Sequence, residues 1–212
     1  MDGSSVLDIL TRQRIIPVIT IDDAAHASEL FAALSAGGIN CAEITLRTEA
    51  GLPSIATKPF RDFIVGAGTV LTLDQVDRCA DAGASFVVSP GFDEDVADRA
   101  RERGMAVVPG IATATELMAA YRSGITSVKF FPADRLGGLE TIRSLSGPFP
   151  NARFMPSGGV GLHNAGHYLE FEPVFAVSGS WMAPRHTIAA GDFTMIEKLS
   201  ADAVALIRSD SA

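Results

Sequence analysis

What most constrains this chain is a regular alternation: eight short, almost continuously apolar runs, each followed by a stretch with helical patterning. The runs lie at 15–20, 41–46, 63–68, 86–90, 106–111, 127–131, 153–157 and 174–179. Helical spacing of apolar residues fills 24–36, 73–82, 94–103, 115–122 and 139–145 between them. A glycine follows each of these segments, at Gly37, Gly83, Gly104, Gly124 and Gly147, where a left-handed helix stop is expected. Strands that lack polar alternation are buried on both faces, which implies a parallel sheet covered by helices. Eight such units favour closure, so the predicted fold is α/β: a (β/α)8 TIM barrel, one domain over residues 1–212. An extra N-terminal helix, 5–12, is placed to plug the barrel bottom, and a last helix covers 194–207. An open doubly wound sheet is the alternative. Against it, Gly66-Ala67-Gly68-Thr69-Val70-Leu71 lacks the third glycine of a dinucleotide fingerprint.

Charge narrows the partners. At a formal net charge of -8 the chain has no basic stripe to neutralise phosphates, which excludes nucleic acid as a partner. Any anionic ligand must be captured locally. No apolar run reaches bilayer length and no export signal is visible, so neither membrane insertion nor secretion is expected, and the chain reads as cytoplasmic. Cys41 and Cys79 sit in apolar surroundings without metal-type spacing and read as reduced, buried thiols. His163 and His167 have the spacing of a metal pair on a helix, but no third ligand accompanies them; an exposed helix accounts for both, and no metal is predicted.

Ser127-Val128-Lys129-Phe130-Phe131-Pro132 holds a lysine inside an apolar strand. Side chains alternate faces along a strand, so Ser127, Lys129 and Phe131 share one face while Val128 and Phe130 take the other. Two bulky apolar groups suit the strand-helix interface, which turns Lys129 into the barrel. Burying an unpaired ammonium is costly, whereas the neutral amine attacks carbonyl carbons; Lys129 is therefore a candidate Schiff-base nucleophile. On the second strand Glu43, Thr45 and Arg47 share a face opposite Ala42, Ile44 and Leu46, bringing a carboxylate and a guanidinium into the same interior. A buried ion pair between Glu43 and Lys129 is the plainer reading of those two residues.

Two strand ends suit an anion. Ser157-Gly158-Gly159 closes the seventh run and Ser178-Gly179-Ser180 the eighth, where barrels often bind phosphate through exposed backbone and hydroxyls. Plain turns are the alternative for either cluster alone.

Taken together, Glu43-Ile44-Thr45-Leu46-Arg47-Thr48-Glu49, Gly66-Ala67-Gly68-Thr69-Val70-Leu71, Ser89-Pro90-Gly91, Pro109-Gly110-Ile111, Lys129-Phe130-Phe131-Pro132-Ala133, Gly158-Gly159 and Gly179-Ser180-Trp181 resemble the 2-keto-3-deoxy-6-phosphogluconate (KDPG) aldolases and the related 4-hydroxy-2-oxoglutarate (KHG) aldolases. The resemblance covers nearly the whole chain. It implies a metal-independent class I aldolase, usually a homotrimer, that needs no cofactor beyond a covalent lysine imine with a phosphorylated 2-keto acid. Carried across, it makes Lys129 the imine lysine and Glu43 the proton-transfer residue. Arg47 and Thr69 would hold the pyruvate carboxylate, Pro90 and Phe131 would wall the pocket, and Gly158, Gly159, Gly179 and Ser180 would bind the phosphate. Two departures stand out: Ser157 where many members have threonine, and a shortened segment, 50–61, containing Pro53 and Pro59. Related substrates, KHG or the galactonate epimer, are the near alternatives; a phosphate-binding barrel isomerase or synthase is the distant one.

Overall fold

The computed structural model describes residues 3–57, 60 and 62–209; Pro59 and Arg61, at the end of the shortened segment, lie outside the described residues. In chain order the elements are α1 (Gly3–Gln13), β1 (Ile15–Ile19), α2 (Ala27–Ala36), β2 (Cys41–Thr45), α3 (Gly51–Ala56), β3 (Ile64–Gly68), α4 (Leu73–Asp81), β4 (Phe86–Val88) and α5 (Glu94–Glu102). There follow β5 (Ala106–Val108), β6 (Gly110–Ile111), α6 (Ala114–Arg122), β7 (Ser127–Phe130), α7 (Gly138–Ser146), β8 (Arg153–Pro156), α8 (Ala165–Leu169), β9 (Val177–Gly179), α9 (Arg185–Ala189) and α10 (Phe193–Ser209). The fold is α/β, and every strand pairing is parallel.

The strands form two curled sheets rather than one uninterrupted ring, ordered β5-β4-β3-β2-β1-β9 and β6-β7-β8. The fifth apolar run is thus two strands, broken at Pro109, which has no amide hydrogen to give to a ladder. Its carbonyl still accepts from the Lys129 N–H at 2.8 Å. At the other edge, isolated parallel bridges tie Phe154 to Val174 and Ser157 to Ser178, setting β8 beside β9. Residues 174–176 therefore precede the last strand instead of opening it.

Packing on the sheets explains where helices stop. Gly83, Gly104 and Gly124 take φ of +92°, +77° and +75°, the left-handed stop expected of them. Gly37 and Gly147 do not: their φ values are -76° and -57°. Gly37 instead serves close approach, because a Cβ there would lie 2.4 Å from the Ser200 Cβ of α10. Three short helices, α3, α8 and α9, fill segments without a periodic signal. Pro53 sits in the first turn of α3, where a missing amide hydrogen costs nothing. His163 falls in the turn before α8, not on the helix with His167, so the two do not share a helical face; both are exposed.

Phe31, Phe86, Phe130 and Phe154 are fully buried, each contributing roughly 1.5–3 kcal/mol of apolar transfer. Val6 and Leu10 fasten α1 against β5 and β1. Cys41 and Cys79 are both buried free thiols, and loss of hydration pushes them up to about 12 and about 11. Among the described residues no helix is long and apolar enough to cross a membrane.

Candidate active site

Lys129 lies in β7 between Gly110 of β6 and Met155 of β8, and it is 4% exposed. Its Nζ donates to Glu43 Oε1 at 3.3 Å, and Glu43, midway along β2, is fully buried. The parity inferred for both strands thus brings together two side chains 86 positions apart. The lysine is paired, not isolated. Its Nζ also stands 5.4 Å from the Phe131 ring centroid. Glu43 Oε2, by contrast, is buried with no hydrogen-bond partner among the described residues. An unmatched buried carboxylate oxygen is costly, and it leaves Glu43 with a free acceptor next to the lysine.

Glycines make room for this pair. Gly66 and Gly68 of β3 face the same way as Glu43, which is in register with Gly66. A Cβ on Gly68 would stand 2.3 Å from Glu43 Oε1, and one on Gly66 would strike the Phe86 ring at 2.3 Å. The Gly66-Ala67-Gly68 sequence is therefore a recess for the carboxylate and a phenyl ring, not a nucleotide loop. Thr45, next along the same face, is occupied structurally: its Oγ1 donates to the Ile19 carbonyl at 2.9 Å.

Lys129 opens onto a cavity of about 250 Å³ at the C-terminal ends of the strands. Of the residues expected at a site, Arg47, Lys129, Phe131, Ser157, Gly158, Gly159, Gly179 and Ser180 line it. Arg47 reaches in from the exposed turn after β2. Gly158 and Gly159 take left-handed φ values of +89° and +77°, and a side chain on Gly159 would meet the Asp134 Cβ at 2.2 Å. Gly179 leaves space for the Trp181 ring, 2.4 Å from where its Cβ would be.

Three expected residues are not among those lining this cavity. Glu43 is fully buried beside the Lys129 amine. Pro90 is exposed, with its carbonyl against Gly110, where a Cβ would come within 2.2 Å. Thr69 follows β3 half-buried at φ +60°, a strained conformation for a β-branched residue. In their place Val18, Thr20, Val160, Ala183 and Arg185 complete the lining. Thr20 continues the inward parity of β1. Arg185 follows the last strand and donates to both carboxylate oxygens of Asp22 through Nε at 2.7 Å and Nη2 at 2.5 Å. That hydrogen bonding and the guanidinium charge hold the Asp22 carboxyl below its ordinary range. Among the described residues, no group of three or more His, Cys, Asp or Glu side chains could hold a metal ion.

Comparison with known proteins gives the arrangement relatives. Residues 6–199 match the model of the KDPG and KHG aldolase family. A 2-dehydro-3-deoxy-phosphogluconate aldolase of Treponema pallidum is 42% identical over 205 residues, 96% of this chain and 98% of the relative. The crystal structure of the 2-keto-3-deoxy-6-phosphogluconate aldolase of Zymomonas mobilis ZM4 with 3-phosphoglycerate superposes with a TM-score of 0.87 at 38% identity, covering 94% of this chain and 95% of that one. The KDPG aldolase of Legionella pneumophila, with pyruvate captured at low pH as a covalent carbinolamine intermediate, also gives 0.87, at 35% identity over 92% and 96% of the two chains.

Proposed function

The chain belongs to the KDPG and KHG aldolase family, a family of lyases, and on that premise we propose that it cleaves KDPG to pyruvate and glyceraldehyde 3-phosphate through an imine on Lys129. The observation that carries this reading is the buried Lys129–Glu43 pair at the floor of a cavity with cationic walls. A carbinolamine captured with pyruvate in the Legionella relative supports the same chemistry.

In this mechanism the neutral Lys129 amine attacks the C2 ketone of the substrate. Loss of water gives an iminium. Glu43 moves the protons: Oε1 lies beside Nζ, and the unpartnered Oε2 takes the proton of the C4 hydroxyl, directly or through a water. As that proton leaves, the C3–C4 bond breaks, its electrons pass to the iminium, and the aldehyde departs. Protonation of the enamine at C3 and hydrolysis of the imine release pyruvate and free lysine. No cofactor or metal enters any step.

Arg47 and Thr69 are assigned to the pyruvate carboxylate, and Pro90 and Phe131 to the wall around it. Arg47→Ala should raise the pyruvate concentration needed for half-maximal imine formation by about tenfold or more, the loss of a charge-assisted hydrogen bond. An unchanged concentration would remove Arg47 from that role.

The backbone of Gly158, Gly159 and Gly179, with the Ser157 and Ser180 hydroxyls, is assigned to the phosphate. Because Gly159 tolerates no side chain, the clean test is Ser180→Asp at an exposed position. It should cut kcat/KM for KDPG by about tenfold or more through like-charge repulsion. If unphosphorylated 2-keto-3-deoxygluconate suffered equally, the phosphate would bind elsewhere.

We read the two sheets as one closed (β/α)8 barrel over the whole chain, with α1 across its bottom; the bridges between β8 and β9 support closure. A homotrimer fits the family, and exposed Phe60, Leu71 and Leu73 offer apolar surface to a second copy. The two free thiols suit a cytoplasmic enzyme. A pyruvate-release assay with KDPG, its galactonate epimer and KHG tests the assignment. KDPG should give the highest kcat/KM; a higher value for either other compound would move the substrate while keeping the reaction.

A further inference from the structure

The Arg185–Asp22 pair is not explained by stability. Its side chains are 60% and 44% exposed, and ion pairs so open to water contribute little to folding. Its place is informative. It links the exits of β1 and β9, residues 163 positions apart, and Arg185 lines the same cavity as Lys129, Gly179 and Ser180. The charged side chains of that wall are Arg47, Lys129 and Arg185, with no carboxylate among its lining residues.

Asp22 occupies two of the five guanidinium N–H groups, one on Nε and one on Nη2. That leaves both hydrogens of Nη1 and one of Nη2 for an anion, with the plane of the fork fixed by the carboxylate. The neighbouring anion site needs such a charge. Glycine backbone and a serine hydroxyl carry no formal charge, and the Asp134 carboxylate lies against Gly159, where an added Cβ would come within 3.2 Å of its Oδ2. A phosphate held there stands near the Asp134 carboxylate, and a cation on the same wall offsets that repulsion.

We infer that Arg185, positioned by Asp22, is a specificity residue that selects substrates ending in a phosphate. This rests on the aldolase reading above and adds a residue to it. Lys129 and Arg47 act at the keto-acid end of the substrate, while Arg185 acts at the other.

The test compares Arg185→Ala with the unaltered protein on KDPG and on unphosphorylated 2-keto-3-deoxygluconate, across a range of salt concentrations. For KDPG, KM should rise about fivefold or more with kcat nearly kept, a size that allows for solvent screening. For the unphosphorylated compound kcat/KM should change less than about twofold, since the interaction lost is with the phosphate alone. The KM of the unaltered protein for KDPG should climb with salt more steeply than that of the variant. Borohydride trapping with pyruvate on the same preparation reports whether the variant is folded. Equal losses on both substrates would reduce Arg185 to a structural role and overturn the inference, as would an unchanged KM or equal salt slopes. If the unaltered protein neither traps pyruvate nor cleaves KDPG, the aldolase reading fails and takes this inference with it.

Discussion

Lys129→Ala is expected to bring KDPG cleavage down to background, because among the described residues Lys129 supplies the amine that lines the cavity. Lys129→Arg should fail as completely: a guanidinium stays protonated and is no nucleophile, although it keeps the charge beside Glu43. The comparison separates chemistry from folding. Alanine leaves the Glu43 carboxylate buried without its partner, which costs about 3–5 kcal/mol of stability for a broken buried pair. Arginine retains a cation there. Loss of activity in both, with the arginine variant shown folded by circular dichroism, assigns the loss to the missing amine. Substantial turnover by either variant would place the nucleophile elsewhere.

Glu43→Gln carries the second large effect. The amide keeps the shape and one acceptor toward Lys129 but removes the base, so kcat should fall by about 10² or more, the usual contribution of a positioned acid-base group. The loss should persist from acid to alkaline pH, because no protonation state of an amide restores a carboxylate. Near-normal turnover at any pH in that range would hand the proton to another group or to water alone.

Strand parity was the most legible part of this molecule. A period of two places Lys129 opposite Val128 and Phe130, and Glu43 opposite Ala42 and Ile44, and the contact between the Lys129 and Glu43 side chains bears that division out. Helices of nine residues or more were legible for the same reason. Helices of five or six, as in α3, α8 and α9, complete too few turns to leave a periodic trace. Glycine was ambiguous: Gly83 relieves a left-handed turn, Gly37 clears space for another helix, and the letter is the same for both. Within the site, the residues on or just after strand ends in Lys129-Phe130-Phe131 and Ser157-Gly158-Gly159 were readable, and the cavity gathers them. Pro90 was read from its motif alone; it is exposed, and its carbonyl lies against Gly110. Arg185 left no local signal at all. Its meaning depends on a contact with Asp22 across 163 positions, which only the folded chain creates.

The central claim is a covalent imine at one lysine, and the chain has just three: Lys58, Lys129 and Lys198. Incubation with pyruvate and borohydride, digestion and mass mapping of the peptides tests that claim most directly. The account predicts a reduced pyruvate adduct on Lys129, with Lys58 and Lys198 unmodified and cleavage activity lost in step with labelling. An adduct on either other lysine, or full cleavage activity with no adduct anywhere, would contradict it.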